Sequence, residues 1–581
     1  MRLLVFLLLM LTTPALAEGQ ATDTPVRQLA ARFWHWSVRQ NPLQMTREGI
    51  PGADDRLPTV APEALARRAD ALRGFQSELA QVDTSSMDAQ DRITAEILAL
   101  EWREDLDNFA RGTIRAPVNA EGGFHSALGS LPQQTPIRSV ADLDNYAARL
   151  SDVPRYFREY TDWMRKGMAD GYMPPRVILE GMEATMQLIT PNAEASLFYE
   201  PVRRLPASVP DSARTRAADR VARVIADSVS RAYGELFRFF VDEYRPAARA
   251  SVGARDLPDG AAYYRTQVQL YTTLPLDPDS VHAMGLAEVA RIRMEMDAAR
   301  ARAGFRGTHA AFLAFLRTDA RFHPKSGDEL LLAASRIAKR MDRELPRLFR
   351  RLPRQPYGVV PVPAHLERKY TAGRYSGAPI NGTRAGEYWV NLYQPESRTL
   401  YTLEALTLHE AVPGHHLQTA LAQELSDLPE VRRNAYFSAF GEGWGLYSER
   451  LGLEVGFYQD PYSDFGRLTY EMWRACRLVV DTGLHWKGWS RQRAIDYLAS
   501  NTALALLEVE TEIDRYIGWP GQALSYKIGE LEIRALRAEA ERTLGARFDL
   551  RAFHDVLLRN GSVPLTTLRR EVRAWIASGG A

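Results

Sequence analysis

Apolar residues recur at three- and four-residue spacing along most of this chain, and that period admits helices and little else. Residues 62–79, 89–109, 140–167, 213–241 and 278–301 carry it with charges in between, which predicts amphipathic scaffold helices. The period lapses once, between Leu352 and Gln394. There Pro353, Pro356, Pro361 and Pro363 interrupt the helices, and Glu387-Tyr388-Trp389-Val390-Asn391-Leu392-Tyr393 is an aromatic and branched run that predicts a strand. Helical spacing returns after Thr402, with breaks near Pro429, Pro461, Pro520 and Pro564. The expected fold class is therefore mainly α with one small β element, and the absence of a fixed repeat period argues against a solenoid.

The first 17 residues place Arg2 before an apolar run from Leu3 to Leu11 and end in Ala15-Leu16-Ala17, the pattern of a secretory signal peptide cleaved after Ala17. That run is too short for a bilayer, and no later stretch reaches the roughly 20 apolar residues of a membrane span. No cysteine follows the cleavage point, so lipid attachment there is not expected. Cys476 is the only cysteine in the chain, which excludes an internal disulfide framework and a cysteine-rich metal site. The organisation read from the sequence is a signal peptide at 1–17, a helical region at 18–351, and a metal-binding helical region at 352–581 with its β segment at about 387–393. With 73 Lys+Arg against 72 Asp+Glu, the chain has no strong field to hold nucleic acid or an acidic membrane.

Three of the eleven histidines fall in Leu408-His409-Glu410-Ala411-Val412-Pro413-Gly414-His415-His416. The arrangement is close to the HExxH zinc helix, in which two histidines four apart share a face and the glutamate acts on water. Here the fifth position is Pro413, so the standard motif is absent. Pro413 has no N–H, its ring meets the carbonyl of His409, and Gly414 adds backbone freedom, so a bulge is expected. Two extra residues in that bulge return His415 to the place that i+4 holds in a regular turn, and His409 and His415 then converge on one ion. His416 is the alternative. It shares the face of an undistorted helix with His409, but seven residues rise about 10.5 Å, too far for two nitrogens bound to zinc at about 2.0–2.1 Å. His415 is preferred, which leaves His416 to support a ligand or face the substrate.

A third ligand should come from a neighbouring helix, and Phe440-Gly441-Glu442-Gly443-Trp444-Gly445-Leu446-Tyr447-Ser448-Glu449 offers two acids. Glu442 lies 27 residues after His415, enough chain to turn at Leu428-Pro429 and return antiparallel, and its small neighbours permit close approach. Glu449, two turns on, shares that face and can hold a ligand histidine from behind.

These motifs carry a resemblance. The chain resembles the bacterial "domain of unknown function 885" family, whose marks are HExxPGHH, an EGW segment and a late PGQALSYK-like segment. They stand here as His409 to His416, Glu442-Gly443-Trp444 and Pro520 to Lys527, and the resemblance runs from about residue 25 to 575. That family is similar to the gluzincin peptidases, such as angiotensin-converting enzyme and thimet oligopeptidase. In dipeptidyl peptidase III the motif holds one extra residue before a Gly-His pair; this sequence would hold two. The resemblance implies two helical halves around a deep cleft with the β element near its floor, Zn2+ bound by two histidines and a glutamate, and Tyr526 as an oxyanion donor. It also implies that the strand around Asn391 pairs with extended substrate backbone.

The remaining candidates come from spacing. Asp481 and His485 lie four apart on a predicted helix, so the acid is expected to orient a catalytic imidazole. Arg474, Arg477 and Lys527 are candidates for a substrate carboxylate. The reading reached is an exported, periplasmic zinc hydrolase of short peptides or peptide-like amides. Zinc sits on His409, His415 and Glu442, and Glu410 is the general base. The alternative is a catalytically silent peptide-binding protein whose zinc is closed by a fourth protein ligand, for instance His416. Oligomeric state and substrate identity are not legible at this level.

Overall fold

The computed structural model describes residues 24–120, 122–187, 192–364, 366–378 and 384–580. The expected signal peptide lies outside them. Helix accounts for 71% of the structure and strand for 4%, a mainly α fold. Among the described residues no helix is long and apolar enough to cross a membrane.

The periodic stretches become helices close to their expected bounds. Those that shape the site are α1 (Ala89–Arg111), α2 (Gly260–Thr272) and α3 (Pro278–Arg302), followed after the β segment by α4 (Leu403–Glu410), α5 (His415–Gln423), α6 (Ser438–Leu451), α7 (Pro461–His485), α8 (Leu506–Gly518) and α9 (Ser525–Leu544). The stretch read as one helix over 140–167 is two, Val140–Ser151 and Val153–Asp170. The second begins with Pro154 in its first turn, where the missing N–H costs nothing.

The β element is larger than one strand. Gly386–Val390 (β3) is the centre of a three-stranded mixed sheet, with Tyr357–Pro361 (β1) parallel on one side and Gly373–Ser376 (β2) antiparallel on the other. In register, Tyr388 faces Val359 on β1 and Tyr375 on β2. Both flanking strands are short and bounded by Pro or Gly, which hid them from a period-based reading.

Helix α7 organises the interior. Every residue from Phe465 to His485 is buried, although Arg467, Glu471, Arg474, Arg477 and Asp481 are among them. α3 lies against it so closely that a Cβ at Gly285 would stand 2.7 Å from the Leu478 side chain. The charges inside are paired, because an unpaired buried charge is costly. Lys527 of α9, for example, reaches Glu288 at 3.0 Å, Glu471 at 3.0 Å and Glu530 at 2.9 Å, and Arg291 also pairs with Glu471. Lys527 is therefore fully buried and committed to three carboxylates, which overturns its expected contact with a substrate.

α6 and α9 touch backbone to backbone. A Cβ at Gly443 would lie 2.5 Å from Gly529 Cα, and one at Gly529 would collide with the Ala439 carbonyl oxygen. Neither backbone can give, so Gly529→Ala should lower unfolding stability by about 3 kcal/mol or more in urea denaturation. An unchanged midpoint would show that the two helices are not in contact there.

Candidate metal centre

α4 ends at Glu410 because the next four residues leave helical geometry: Ala411 has φ −92° and ψ −109°, and Gly414 has φ −75° and ψ −129°. The Val412–Pro413 peptide is cis. The hydrogen-bond ladder crosses this excursion with one long-period bond, the His416 N–H donating to the Ala411 carbonyl at 3.1 Å. The interruption is thus a full break between two helices, sharper than the expected bulge. Its effect is the expected one, since His415 starts α5 with its ring edge-on to His409, the centroids 4.7 Å apart at 89°. Gly414 lies so close to the His409 carbonyl that no side chain fits. Trp444, on the facing helix α6, donates its indole N–H to the Pro413 carbonyl at 2.8 Å and ties the break to the EGW segment.

That tie sets Glu442 against both imidazoles. Its Oε2 lies 3.4 Å from His409 Nε2 and 3.3 Å from His415 Nε2, and the three ligand atoms fall within 4.8 Å of one another. Ligands held at about 2.0–2.1 Å around a tetrahedral zinc stand about 3.3 Å apart, so these separations match the edges of such a site. Glu442 Oε2 is buried and accepts no hydrogen bond, a costly state for a carboxylate oxygen unless a cation takes it up. Behind the ring, Glu449 Oε1 lies 2.9 Å from His409 Nδ1, which places the proton on Nδ1 and turns the Nε2 lone pair to the centre. Arg474 in turn pairs with Glu449 Oε1 at 3.2 Å. Gly445 makes room for this stack: a Cβ there would lie 2.7 Å from the His409 ring.

The electrostatics favour a dication. Burial alone would lower the His409 pKa, but the surrounding carboxylates of Glu442, Glu449 and Glu410 outweigh it and raise the value to about 10. Burial would raise that of Glu442, yet the two imidazoles hold it well below the usual carboxylate range. Three acids, Glu410, Glu442 and Glu449, thus crowd two histidines.

The centre opens on a cavity of about 490 Å3 lined from both sequence regions. Glu410 lines it, its Oε2 accepting the Tyr375 N–H of β2 at 2.8 Å. Tyr526 lines it too, its ring nearly parallel to His409 at 6.2 Å. Tyr436, which no motif announced, donates its hydroxyl to Glu442 Oε1 at 3.2 Å from an exposed position ahead of α6. Glu101 and Glu104 of α1, some 300 residues before the motif, form another part of the wall. Burial, with repulsion from Asp105, raises their pKa values to about 8 and about 7.

Three expectations are corrected here, those for His485, Asp481 and Asn391. His485 is buried with both ring nitrogens occupied: Nδ1 accepts the Ala254 N–H and Nε2 donates to the Tyr516 carbonyl, each at 2.9 Å. Burial lowers its pKa to about 4, so it is a neutral core residue with no access to substrate. Asp481 does not orient it. The Asp481 carboxylate accepts the Tyr264 hydroxyl at 2.6 Å and the Gly521 N–H at 3.1 Å, fixing the turn that leads to Tyr526, while burial raises its pKa to about 7. His416 is no ligand, since Nε2 donates to the Gln355 carbonyl and Nδ1 accepts from the Tyr375 hydroxyl, both at 3.1 Å. Asn391 is wholly buried and donates to the carbonyls of Glu367, Tyr370 and Thr371, so it pins the loop before β2 and meets no substrate. β3 is paired on both sides; the strand at the sheet edge along the cavity is β2.

Substituting His409, His415 or Glu442 by alanine should abolish stoichiometric zinc in elemental analysis of the purified protein, whereas His416→Ala and His485→Ala should retain one ion per chain. Glu449→Ala should weaken zinc about 10- to 100-fold by removing the group that orients His409. Loss of zinc in the His416 variant with retention in the His415 variant would reverse the ligand assignment.

No curated protein matches the sequence. Among solved structures, a "putative lipoprotein" from Colwellia psychrerythraea superposes with a TM-score of 0.88 at 30% identity, over 95% of this chain and 99% of that one. A "putative lipoprotein of unknown function" from Shewanella oneidensis superposes with a TM-score of 0.72 at 17% identity, over 94% of this chain and 99% of that one, a likeness of fold alone. The model of the family described as bacterial protein of unknown function (DUF885) matches residues 42–572, and the chain belongs to that family.

Proposed function

We propose that the protein is an exported zinc-dependent hydrolase that cleaves peptide or peptide-like amide bonds of short substrates. The observation that carries this reading is the approach of Glu442 Oε2 to His409 Nε2 at 3.4 Å and to His415 Nε2 at 3.3 Å, on the wall of a cavity that also holds Glu410 and Tyr526. His409, His415 and Glu442 would hold the ion. When bound, it supplies Lewis acidity that activates water and polarises the scissile carbonyl.

The chain's own groups do the rest. Glu410 takes a proton from the attacking water and passes it to the leaving amine, so that one water and one amide become a carboxylate and an amine. The Tyr375 N–H, at 2.8 Å from Glu410 Oε2, holds that carboxylate in place. The Tyr526 hydroxyl donates to the oxyanion. The edge strand β2 runs along the cavity and would pair with an extended substrate. A cavity of about 490 Å3 has the size of a small-ligand pocket and suits a peptide of a few residues. His416, the candidate for a closing fourth ligand, has both nitrogens engaged, which favours a hydrolase over a silent binding protein. Export is supported by the leader-like first 17 residues and by solved relatives described as putative lipoproteins, and the periplasm is the proposed compartment.

Incubation with a mixed peptide library, read by mass spectrometry, should yield fragments that disappear on chelation and return with zinc. Glu410→Gln should keep one zinc per chain and lose turnover by roughly a hundred- to ten-thousand-fold. Unaltered hydrolysis in that variant would remove Glu410 as the base, and an intact library would remove the hydrolase reading.

A further inference from the structure

The cavity wall contains a second polar feature, built around Arg477 of α7. This side chain is only 2% exposed. Its guanidinium lies over the rings of Trp473, at 4.4 Å, and Tyr526, at 4.1 Å, and all three residues line the cavity. Two of its nitrogens are engaged. Nε donates to the Tyr516 hydroxyl at 2.7 Å and Nη2 to Glu512 at 2.8 Å, whereas Nη1 is buried with no hydrogen-bond partner. A buried guanidinium nitrogen without an acceptor is costly, and the rigid planar fork leaves it few directions in which to find one.

Glu512 is shared by Arg477 and by Arg515, which it meets at 3.3 Å, and Arg474 is committed to Glu449. An incoming carboxylate would accept from Nη1, the kind of recognition at which arginine excels.

Distance gives the register. Arg477 Cζ and the His409 ring share Tyr526 as a neighbour, which puts them no more than about 10 Å apart. Extended peptide covers about 3.3–3.6 Å per residue. A scissile carbonyl at the metal centre and a carboxylate at Arg477 are therefore separated by one or two residues.

We propose that Arg477 is the recognition group for the free C-terminal carboxylate of a short peptide, so that the site removes one or two residues from the C-terminal end. The cleavage position rests on the hydrolase reading above; the recognition of the carboxylate does not. The test uses the full zinc-loaded chain and matched peptides ending in a free carboxylate or a carboxamide. Hydrolysis should fall one or two residues from the free C-terminus, with kcat/KM about 10- to 100-fold lower for the amides, and Arg477→Met should erase that difference while Arg477→Lys restores part of it. Calorimetric titration of the Glu410→Gln protein with the same pair separates binding from chemistry, and should show the free acid bound at least about tenfold more tightly than the amide. Equal cleavage of both peptides would overturn the assignment and leave the hydrolase reading intact. Preferential binding of the acid without hydrolysis would uphold the carboxylate site and remove the hydrolase reading. Equal binding of acid and amide, or no binding of either, would overturn the site.

Discussion

Glu449 is engaged on two sides at once. On one it holds His409 Nδ1 at 2.9 Å, and on the other it meets the Arg474 guanidinium at 3.2 Å. This buried chain joins α4, α6 and the central helix α7, and it decides which imidazole nitrogen faces the cavity. Removing any member would leave an uncompensated charge or an undirected ring in the interior, a state that usually costs several kcal/mol. The direction of the His409 imidazole therefore depends on a contact behind it.

The same logic explains the central helix. α7 is enclosed on all sides yet carries five charged residues between Arg467 and Asp481; Arg467 pairs with Asp464 and Glu471 of the same helix, and the other four find partners on neighbouring elements. Glu471 meets Lys527 of α9, Arg477 meets Glu512 of α8, and Asp481 accepts from Tyr264 of α2 and from Gly521. These pairs align the helices that surround the cavity. Arg477 Nη1 and Glu442 Oε2, both on residues of the cavity wall, are among the buried polar atoms left without a hydrogen-bond partner.

Much of this was legible in the sequence. The helical period announced the fold class, and the crowding of His409, Glu410 and His415 around Pro413 announced a centre. The spacing of the GEGWG segment announced Glu442 and Glu449. What failed did so for geometric reasons. Periodicity identifies the face of a helix but not how far a cleft runs along it: Arg474 and Arg477 line the cavity, while His485, two turns further on, lies beyond its end under the Tyr516 carbonyl. Neighbouring residues on a helix point about 100° apart, so Tyr526 turns to the cavity and Lys527 to the core, and His415 to the centre and His416 to the Gln355 carbonyl. The strand around Asn391 was correctly seen, but strand order is a long-range property, and the edge falls to Gly373–Ser376. Tyr436, Glu101 and Glu104 reach the cavity only through tertiary packing that no local pattern records.

The central claim is that two imidazoles and one carboxylate on three helices form a single metal site with a position left over. X-ray absorption at the zinc edge of the loaded protein addresses it directly. The account predicts a shell of nitrogen and oxygen donors at about 2.0–2.2 Å with the multiple scattering of two imidazoles. A spectrum that demands three imidazoles, or a protein that takes up no zinc under any loading condition, would contradict it.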